Sequence, residues 1–563
     1  MHDLETLLKE TIAGGLKRRS LTTCSRWTKA CRVMGKPFPG PASFDHHPWS
    51  EDMHDSNAMM NVGQKAAQMG FTETALDRTF FKIDVERVDS LYVLPAKTPD
   101  ASDFSAARFD PALELSPRLS SLFSDVKNVG HKRAGTTNLY IRGSKSRGGL
   151  KSIPVGFIVF DEVDEMDQDN IPLAFERTSG QPESQKWMIS TPTVPNFGIN
   201  KWFVPSSQNH YVFKCPSCSQ HIELEFPSCL VITGEHLTDP ALANSHLICP
   251  KCKTKLNHED KINFLKGKRS GGTGFWQPMG PGGLDYQGWL INQLYSMTVT
   301  PQQLAEAFMK SLKDRASEQE FYNSKLGLPH IVEGARVSDI LIDLAIEKGG
   351  GYVMQEIALN QNQFVTMGVD VGSFLHYEIC AWNLAGRMSS DLNVLANKRV
   401  LKVGKCQAFE ELDTLMRNHQ ILMCVIDANP ERRKAYEFAC RFPGYVKLCF
   451  YGRGVTGKQI KIDKEGDENV EDHKITVDRT SWLDMSLGRF HSKTITLPRD
   501  IPHEYREHIK SPVRHYEKDN DGNQIGKYIN TGDDHYAHAG NYSEIALPLA
   551  ASMASNKDVK AFL

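Results

Sequence analysis

The chain has 563 residues, 40% of them hydrophobic and 24% charged, with a formal net charge of −2. That length holds about three or four domains of ordinary globular composition, and the near-neutral balance excludes a global basic field, so any contact with nucleic acid must use local patches. No apolar run approaches the ~18 residues of a membrane span, and the 12 cysteines follow the usage of a reducing compartment, with two tight pairs and the rest scattered among apolar residues.

The N-terminal stretch MHDLETLLKETIAGGLKRRS predicts a short amphipathic helix ending in basic residues, without the apolar segment of a secretory signal. Up to about residue 200, short apolar runs (SLYVLPA, NLYIRG, GFIVFDEV, KWMISTPT) alternate with helical patterns, which predicts an α/β domain with a mainly parallel sheet. Within it, AMMNVGQKAAQMGFTETALDRTF (58–80) reads as strand, loop and helix. Aligned on Gly70 and Thr72, the loop is K-x-x-x-x-G-F-T. Phe71 stands where a phosphate-binding loop carries its lysine, and Lys65 stands at the first glycine. Such a loop curls around phosphates, so a lysine at its front can reach the outer ones, while Thr72 serves Mg²⁺ and the helix N-terminus adds its dipole. By pattern alone the plainer reading, a helix preceded by an exposed lysine, is favoured. GFIVFDEVDEM (156–166) reads as a buried strand ending in two acids. In an ATPase Asp161 would orient Mg²⁺ and Glu162 would polarise the attacking water; the alternative is an apolar strand running into a polar loop. Arg142, Arg147 and Arg177 flank this strand as candidates for an arginine acting in trans.

The pairs KCPSC (Cys215, Cys218) and ICPKC (Cys249, Cys252) each aim two thiolates at one ion, and together they complete a closed tetrahedral Zn²⁺ site of structural type. KGKRSGGTGFWQPMGPGG (266–283) is expected to be a flexible connector. A helix follows with Thr300 as N-cap and Pro301 at its first position, and EKGGGY (347–352) reads as an interdomain linker.

From 364 a second α/β set begins. In FVTMGVDVGS, Val365, Met367, Val369 and Val371 form a packing face, whereas Thr366, Gly368, Asp370 and Gly372 are expected to leave room for a metal around one carboxylate. In ILMCVIDANPE, Asp427 sits at the carboxyl end of a buried strand. DDHYAHAGNYSEIAL predicts a helix on which Asp534 and His538 share a face, with Asp533 the alternative to Asp534. Asp370, Asp427 and Asp534 could hold two divalent ions ~4 Å apart for phosphodiester hydrolysis. Each alone also reads as a turn residue, a strand-end acid or a helix N-cap. FYGRGVTGKQIKI (450–462) matches G-x-x-x-x-G-K, but Gln459 replaces the hydroxyl residue and an acidic loop, not a helix, is expected to follow, so it reads as a surface loop.

Taken in order, KAAQMGFT (65–72), FIVFDEVDEM, MISTPT (188–193), FPGPASFDHHPWSEDMHD (38–55), YQGWLINQLYS and EFYNSKLGLP (320–329) resemble the large terminase subunit of tailed bacteriophages, of the lambda gpA type. The resemblance spans roughly 25–550 and implies a displaced-lysine nucleotide loop with Lys65, Gly70, Thr72 and Asp161 binding ATP and Mg²⁺, and Glu162 catalytic. It implies an RNase H-like nuclease using Mg²⁺ or Mn²⁺ at Asp370, Asp427 and Asp534, and a motif at 188–193 that couples hydrolysis to movement. The fold expected is a P-loop NTPase-type parallel sheet domain (1–210) with a zinc-ribbon insertion (211–256), a helical connector and linker (257–352), and an RNase H-like α/β nuclease domain (353–563). The resemblance further implies double-stranded viral DNA, a small terminase subunit and the procapsid portal protein as partners, a homo-oligomeric ring during packaging, no membrane, and action in the cytoplasm of the infected bacterial host. The chain stops soon after the last nuclease motif, where some relatives extend further to engage the portal. The rival readings are a transposase-like RNase H-fold nuclease with a zinc ribbon and no motor, and a non-catalytic zinc protein that docks on DNA or partners.

Overall fold

The computed structural model describes residues 21–123, 126–151, 153–181, 183–354, 364–384, 392–452, 455–462, 473–518 and 523–556. The helix expected at the N-terminus and the acidic loop expected at 463–472 lie outside them. The chain forms two compact units, Met1–His330 with Glu517–Gln524, and Ile331–Tyr516 with Ile525–Leu563.

The first unit is built on an 11-stranded sheet. Its centre is five parallel strands: β1 (Met60–Lys65), β2 (Ser90–Leu94), β3 (Phe157–Asp161), β4 (Gln185–Ser190) and β5 (Tyr286–Ile291), in the spatial order β5-β1-β4-β3-β2. β2 and β3 are buried along their whole length, as continuous apolar runs covered on both faces must be. Helix α1 (Phe71–Phe81) follows β1 after a tight loop. Short antiparallel strands close the edges.

Three segments differ from their sequence reading. The stretch 266–283 is no flexible connector: Phe275–Pro278 pairs antiparallel with Asn209–Lys214, and the Lys268 ammonium lies 3.5 Å over the Phe275 ring. Its glycines permit close backbone approach, since a Cβ on Gly282 would lie 2.3 Å from the Ser207 nitrogen. The span 257–352 contributes β5 to the sheet beside β1, besides helix Pro301–Ser311 with its Thr300–Gln303 capping box. The stretch 347–352 ends helix Asp339–Lys348 of the second unit, and the Tyr352 hydroxyl donates to the carbonyls of Val400 (2.7 Å) and Thr496 (3.0 Å).

The second unit carries an 8-stranded sheet. Strand β6 (Phe364–Val371) forms an antiparallel hairpin with β7 (Leu375–Leu384), which pairs antiparallel with Ala396–Cys406. On its other side β6 runs parallel to β8 (Met423–Asp427), followed by parallel Val446–Tyr451 and Lys474–Val477. Helix α2 (His535–Asn556) crosses β6, β7 and β8. Both α/β sheets are of the class expected, the first mainly parallel and the second opening on an antiparallel hairpin.

Candidate functional site

In the first unit β1 delivers Lys65 and β3 delivers Asp161 and Glu162, with β4 between them, so the carboxyl end of β4 enters the same cleft. Lys65 is buried, its ammonium 3.6 Å from Glu162 Oε1 and 3.5 Å from Thr191 Oγ1. Phe71 is buried instead of reaching outward, its ring filling the space a Cβ on Gly63 would take, 2.4 Å away. Packing thus claims the usual lysine position. Gly70 caps α1 at φ 83°, a left-handed conformation that suits glycine, and Thr72 in the first helical turn donates to Asp161 Oδ1 at 3.4 Å. Glu162 also has left-handed angles (φ 64°, ψ 56°). For a non-glycine residue this is strained, a feature that clusters at functional sites.

Two residues that the sequence reading did not single out complete this cleft. The Tyr92 hydroxyl, buried in β2, donates to Asp161 Oδ2 at 2.7 Å. Burial, reinforced by the Glu162 charge, pushes Asp161 up to about 7, while Lys65 and the bonds from Tyr92 and Thr72 oppose the shift. Asp164 accepts from the Thr193 N–H (2.8 Å), the Thr193 hydroxyl (2.8 Å) and the Ile199 N–H (2.7 Å), which ties the acidic turn to the MISTPT segment containing Thr191. A tyrosine in an aliphatic strand and a third acid in DEVDEM were the available signals.

The flanking motifs converge here too. Trp49 Nε1 donates to the Met69 carbonyl at 3.0 Å, and the His47 ring covers Gly70. The Ala67 N–H donates to the Ser324 carbonyl (2.8 Å), and the Thr193 carbonyl accepts from Asn323 Nδ2 (2.8 Å) and the His330 N–H (3.0 Å). EFYNSKLGLP therefore straps the front of the loop to the end of β4. Of the three arginines, Arg142 and Arg177 donate to the carbonyls of Gly130 and Lys151, and Arg147 is exposed and donates to Asn170.

In the second unit, Asp370 and Asp427 lie at the carboxyl ends of the neighbouring parallel strands β6 and β8, one step beyond the paired Val369 and Ile426. The N-terminal end of α2 supplies the third carboxylate. His535 Nδ1 is 2.8 Å from Asp370 Oδ2, and His538 Nε2 is 3.1 Å from Asp534 Oδ2. Asp534 is half-buried and also accepts from Asn530, whereas Asp533 is exposed. Burial pushes Asp427 up to about 6; the Asn429 N–H opposes this and the Asp370 charge adds to it. For Asp534 burial acts upward, but His538, Arg479 and His535 hold it below its ordinary value. The Tyr451 hydroxyl, 2.8 Å from His538 Nδ1, braces the arrangement from behind.

The small face of β6 is not open, contrary to the expectation. Thr366 Oγ1 donates to the Ser543 carbonyl at 2.9 Å, and a Cβ on Gly368 would lie 1.9 Å from the Ala539 carbonyl oxygen. Helix α2 fills that space, leaving only Asp370 and Gly372 at the strand end beside the site. Among the described residues, the only group of three or more such donors closing to within 4.8 Å is the four cysteines. The carboxylate oxygens of Asp370, Asp427 and Asp534 do not all lie within 4.8 Å of one another. Asp427 is pushed up by burial and, in smaller part, by the Asp370 charge, a strain that a divalent cation held there would relieve.

GRGVTGK lies in the second unit. No helix follows Lys458; strand Ile460–Ile462 does, so the decoy loop has no helix N-terminus.

The four cysteines sit on two equivalent turns. In each, the first cysteine carbonyl accepts from the residue four places on (Ser219, 2.9 Å; Lys253, 3.0 Å), and both those residues have positive φ (58° and 61°). Sγ–Sγ separations of 3.9 Å for Cys215–Cys252 and Cys218–Cys249 are far too long for disulfides. They match the ~3.8 Å edge of a tetrahedron with ~2.3 Å Zn–S bonds.

Residues 37–276 match the family described as phage terminase large subunit gpA, ATPase domain, and residues 286–535 match terminase large subunit gpA, endonuclease domain. Among solved structures the chain is similar to the HK97 bacteriophage large terminase (12% identity, TM-score 0.47, covering 94% of this chain and 99% of that one). It is also similar to the ATPase domain of the Thermus phage P74-26 large terminase (14%, 0.31, covering 50% and 93%) and to the large terminase of a thermophilic bacteriophage (11%, 0.28, covering 87% and 93%). No curated protein matches the chain. The two family matches follow one another in order, and each contains one of the clefts built above: the chain belongs to the gpA family of phage terminase large subunits, an ATPase domain followed by an endonuclease domain.

Proposed function

We propose that this ATPase and endonuclease is the motor that drives double-stranded viral DNA into a procapsid and cuts it from a concatemer. The observation that carries the motor reading is the facing of Lys65 and Glu162 across one cleft, 3.6 Å apart, with Thr191 of the coupling segment between them. In this reading Lys65 neutralises charge on the outer phosphates, and Thr72 and Asp161 orient the hydrated Mg²⁺ that accompanies ATP. Glu162 polarises the attacking water, and Asp164 and Thr193 transmit the state of the cleft to the strap at 320–329. The match to an ATPase domain leaves the transposase-like alternative without support.

Asp370, Asp427 and Asp534 would hold the divalent cations of the nuclease. When bound, such ions activate water and stabilise the leaving 3′ oxygen. The protein's own part is orientation: His535 fixes Asp370, the Asn429 N–H fixes Asp427, and His538 with Asn530 fixes Asp534. Cys215, Cys218, Cys249 and Cys252 would hold one structural Zn²⁺. The small terminase subunit, the portal and further copies of this chain in a ring complete the proposed machine in the host cytoplasm. Among the described residues, no helix is long and apolar enough to cross a membrane.

The test is a double dissociation. Asp370→Ala is expected to abolish Mg²⁺- or Mn²⁺-dependent DNA cutting and to spare ATP hydrolysis, and Glu162→Ala to do the reverse. Wild-type cutting by Asp370→Ala would remove the second unit as the nuclease.

A further inference from the structure

The chain carries no net positive charge to hold a polyanion, yet the cysteine turns and the loop beside them concentrate exposed lysines: Lys214, Lys251, Lys253, Lys255, Lys266 and Lys268. The turns and the loop that carry them are joined to one another. Thr254 Oγ1 donates to Ser217 Oγ at 3.3 Å, which joins the second turn to the first. The Lys214 N–H donates to Thr273 Oγ1 at 3.0 Å, which joins the first turn to the loop holding Lys266 and Lys268. The His221 ring packs on Phe275 at 5.4 Å, beneath the Lys268 ammonium. Among the described residues none of the six ammonium groups has a carboxylate within 4.0 Å, unlike Lys29, Lys82, Lys132, Lys398 and Lys405 elsewhere.

We propose that this lysine-bearing face of the cysteine ribbon binds the phosphate backbone of double-stranded DNA, independently of sequence and outside both catalytic clefts. The proposal rests on the reading of DNA as the substrate. Between the lysines lie Ser217, Ser219, Gln220 and Thr254, all exposed, and no large apolar side chain on either turn is exposed. A protein partner calls for an apolar centre and disfavours lysine, whereas phosphate contacts are made by lysines with hydroxyl and amide side chains between them. The two turns are fixed by their backbone hydrogen bonds and positive-φ residues, so the charges ride on a rigid support.

The test is equilibrium binding of the full chain to a random-sequence duplex of 30 base pairs without added divalent ions, read as a function of salt. Each phosphate contact adds about 0.9 to the slope of log K against log salt. Lys251→Ala/Lys253→Ala/Lys255→Ala is expected to make that slope shallower by about 2.7 and to cut the affinity lost between 50 and 200 mM salt by about 40-fold. Lys251→Arg/Lys253→Arg/Lys255→Arg should bind as wild type. Zinc content and ATP hydrolysis without DNA should be unchanged in both, which separates failure here from failure of the motor reading. If the alanine variant loses its metal, Lys214→Ala/Lys266→Ala serves instead, with a slope change of about 1.8. Unaltered affinity and slope in a metal-replete alanine variant overturn the proposal, including the case in which the face serves an acidic protein.

Discussion

Gly368→Ala tests the seating of α2 on β6. The added Cβ would meet the Ala539 carbonyl oxygen at 1.9 Å and the Ser543 nitrogen at 2.3 Å, both backbone atoms that cannot rotate away. Reaching ordinary contact near 3.4 Å moves the helix by 3.4 − 1.9 = 1.5 Å. Overpacking of this kind costs about 1–3 kcal/mol. The same displacement pulls Ser543 from Thr366 and Gly540 from the Lys398 ammonium, two buried hydrogen bonds at about 1 kcal/mol each. A total of about 3 kcal/mol or more lowers the melting temperature of a unit of this size by about 6–12 °C. His535 rides on α2, so its contact with Asp370 opens as well, and a misplacement of about 1 Å at a reacting centre can cost about a hundredfold in rate. Calorimetry should show the second unit melting earlier, and Mn²⁺-dependent cutting should fall about a hundredfold while ATP hydrolysis persists. Wild-type melting with cutting within about twofold of wild type would refute the close seating of α2 as the determinant of the site.

Lys65→Ala is expected to lose most ATP hydrolysis with the fold intact, and Lys458→Ala, in the decoy loop, to retain near-normal turnover; a steady-state ATPase assay on both decides, and the reverse pattern overturns the assignment of the loop. Metal analysis should find about one zinc per chain. Cys249→Ser should release it and expose the stretch from Cys215 to Leu256 to protease, while strand Asn209–Lys214 stays protected by its pairing within the large sheet. Asp427 is an acid pushed up to about 6, so it is ionised above that pH and neutral below it. A neutral carboxyl is a poor cation ligand, so the Mn²⁺ concentration needed for half-maximal cutting should rise as pH falls from 7 to 5. A flat requirement across that range would show that Asp427 does not hold the cation.

Some features of this protein are set by neighbours in the chain, and those are legible in the sequence alone. The Thr300–Gln303 cap, the paired cysteine turns and the buried strand running into Asp161 and Glu162 depend on spacings of a few residues. The α/β class follows from the alternation of apolar runs with helical patterns. The ordered motifs were legible as a family resemblance, although the displaced lysine alone favoured a plainer reading.

Only the tertiary structure decided the rest, because those properties depend on contacts between residues remote in sequence. Gly368 reads as space for a metal until α2, more than 160 positions later, is seen to occupy it. The stretch 266–283 reads as flexible because glycines usually are, yet its glycines admit close backbone neighbours and its strand finds Asn209–Lys214 as a partner. Tyr92 and Asp164 stand out locally only as a tyrosine in an apolar strand and an extra acid; their bonds to Asp161 and Thr193 exist only once β2, β3 and β4 lie side by side. Local geometry is written in spacing, but the environment that charges, neutralises or orients a side chain is assembled by packing.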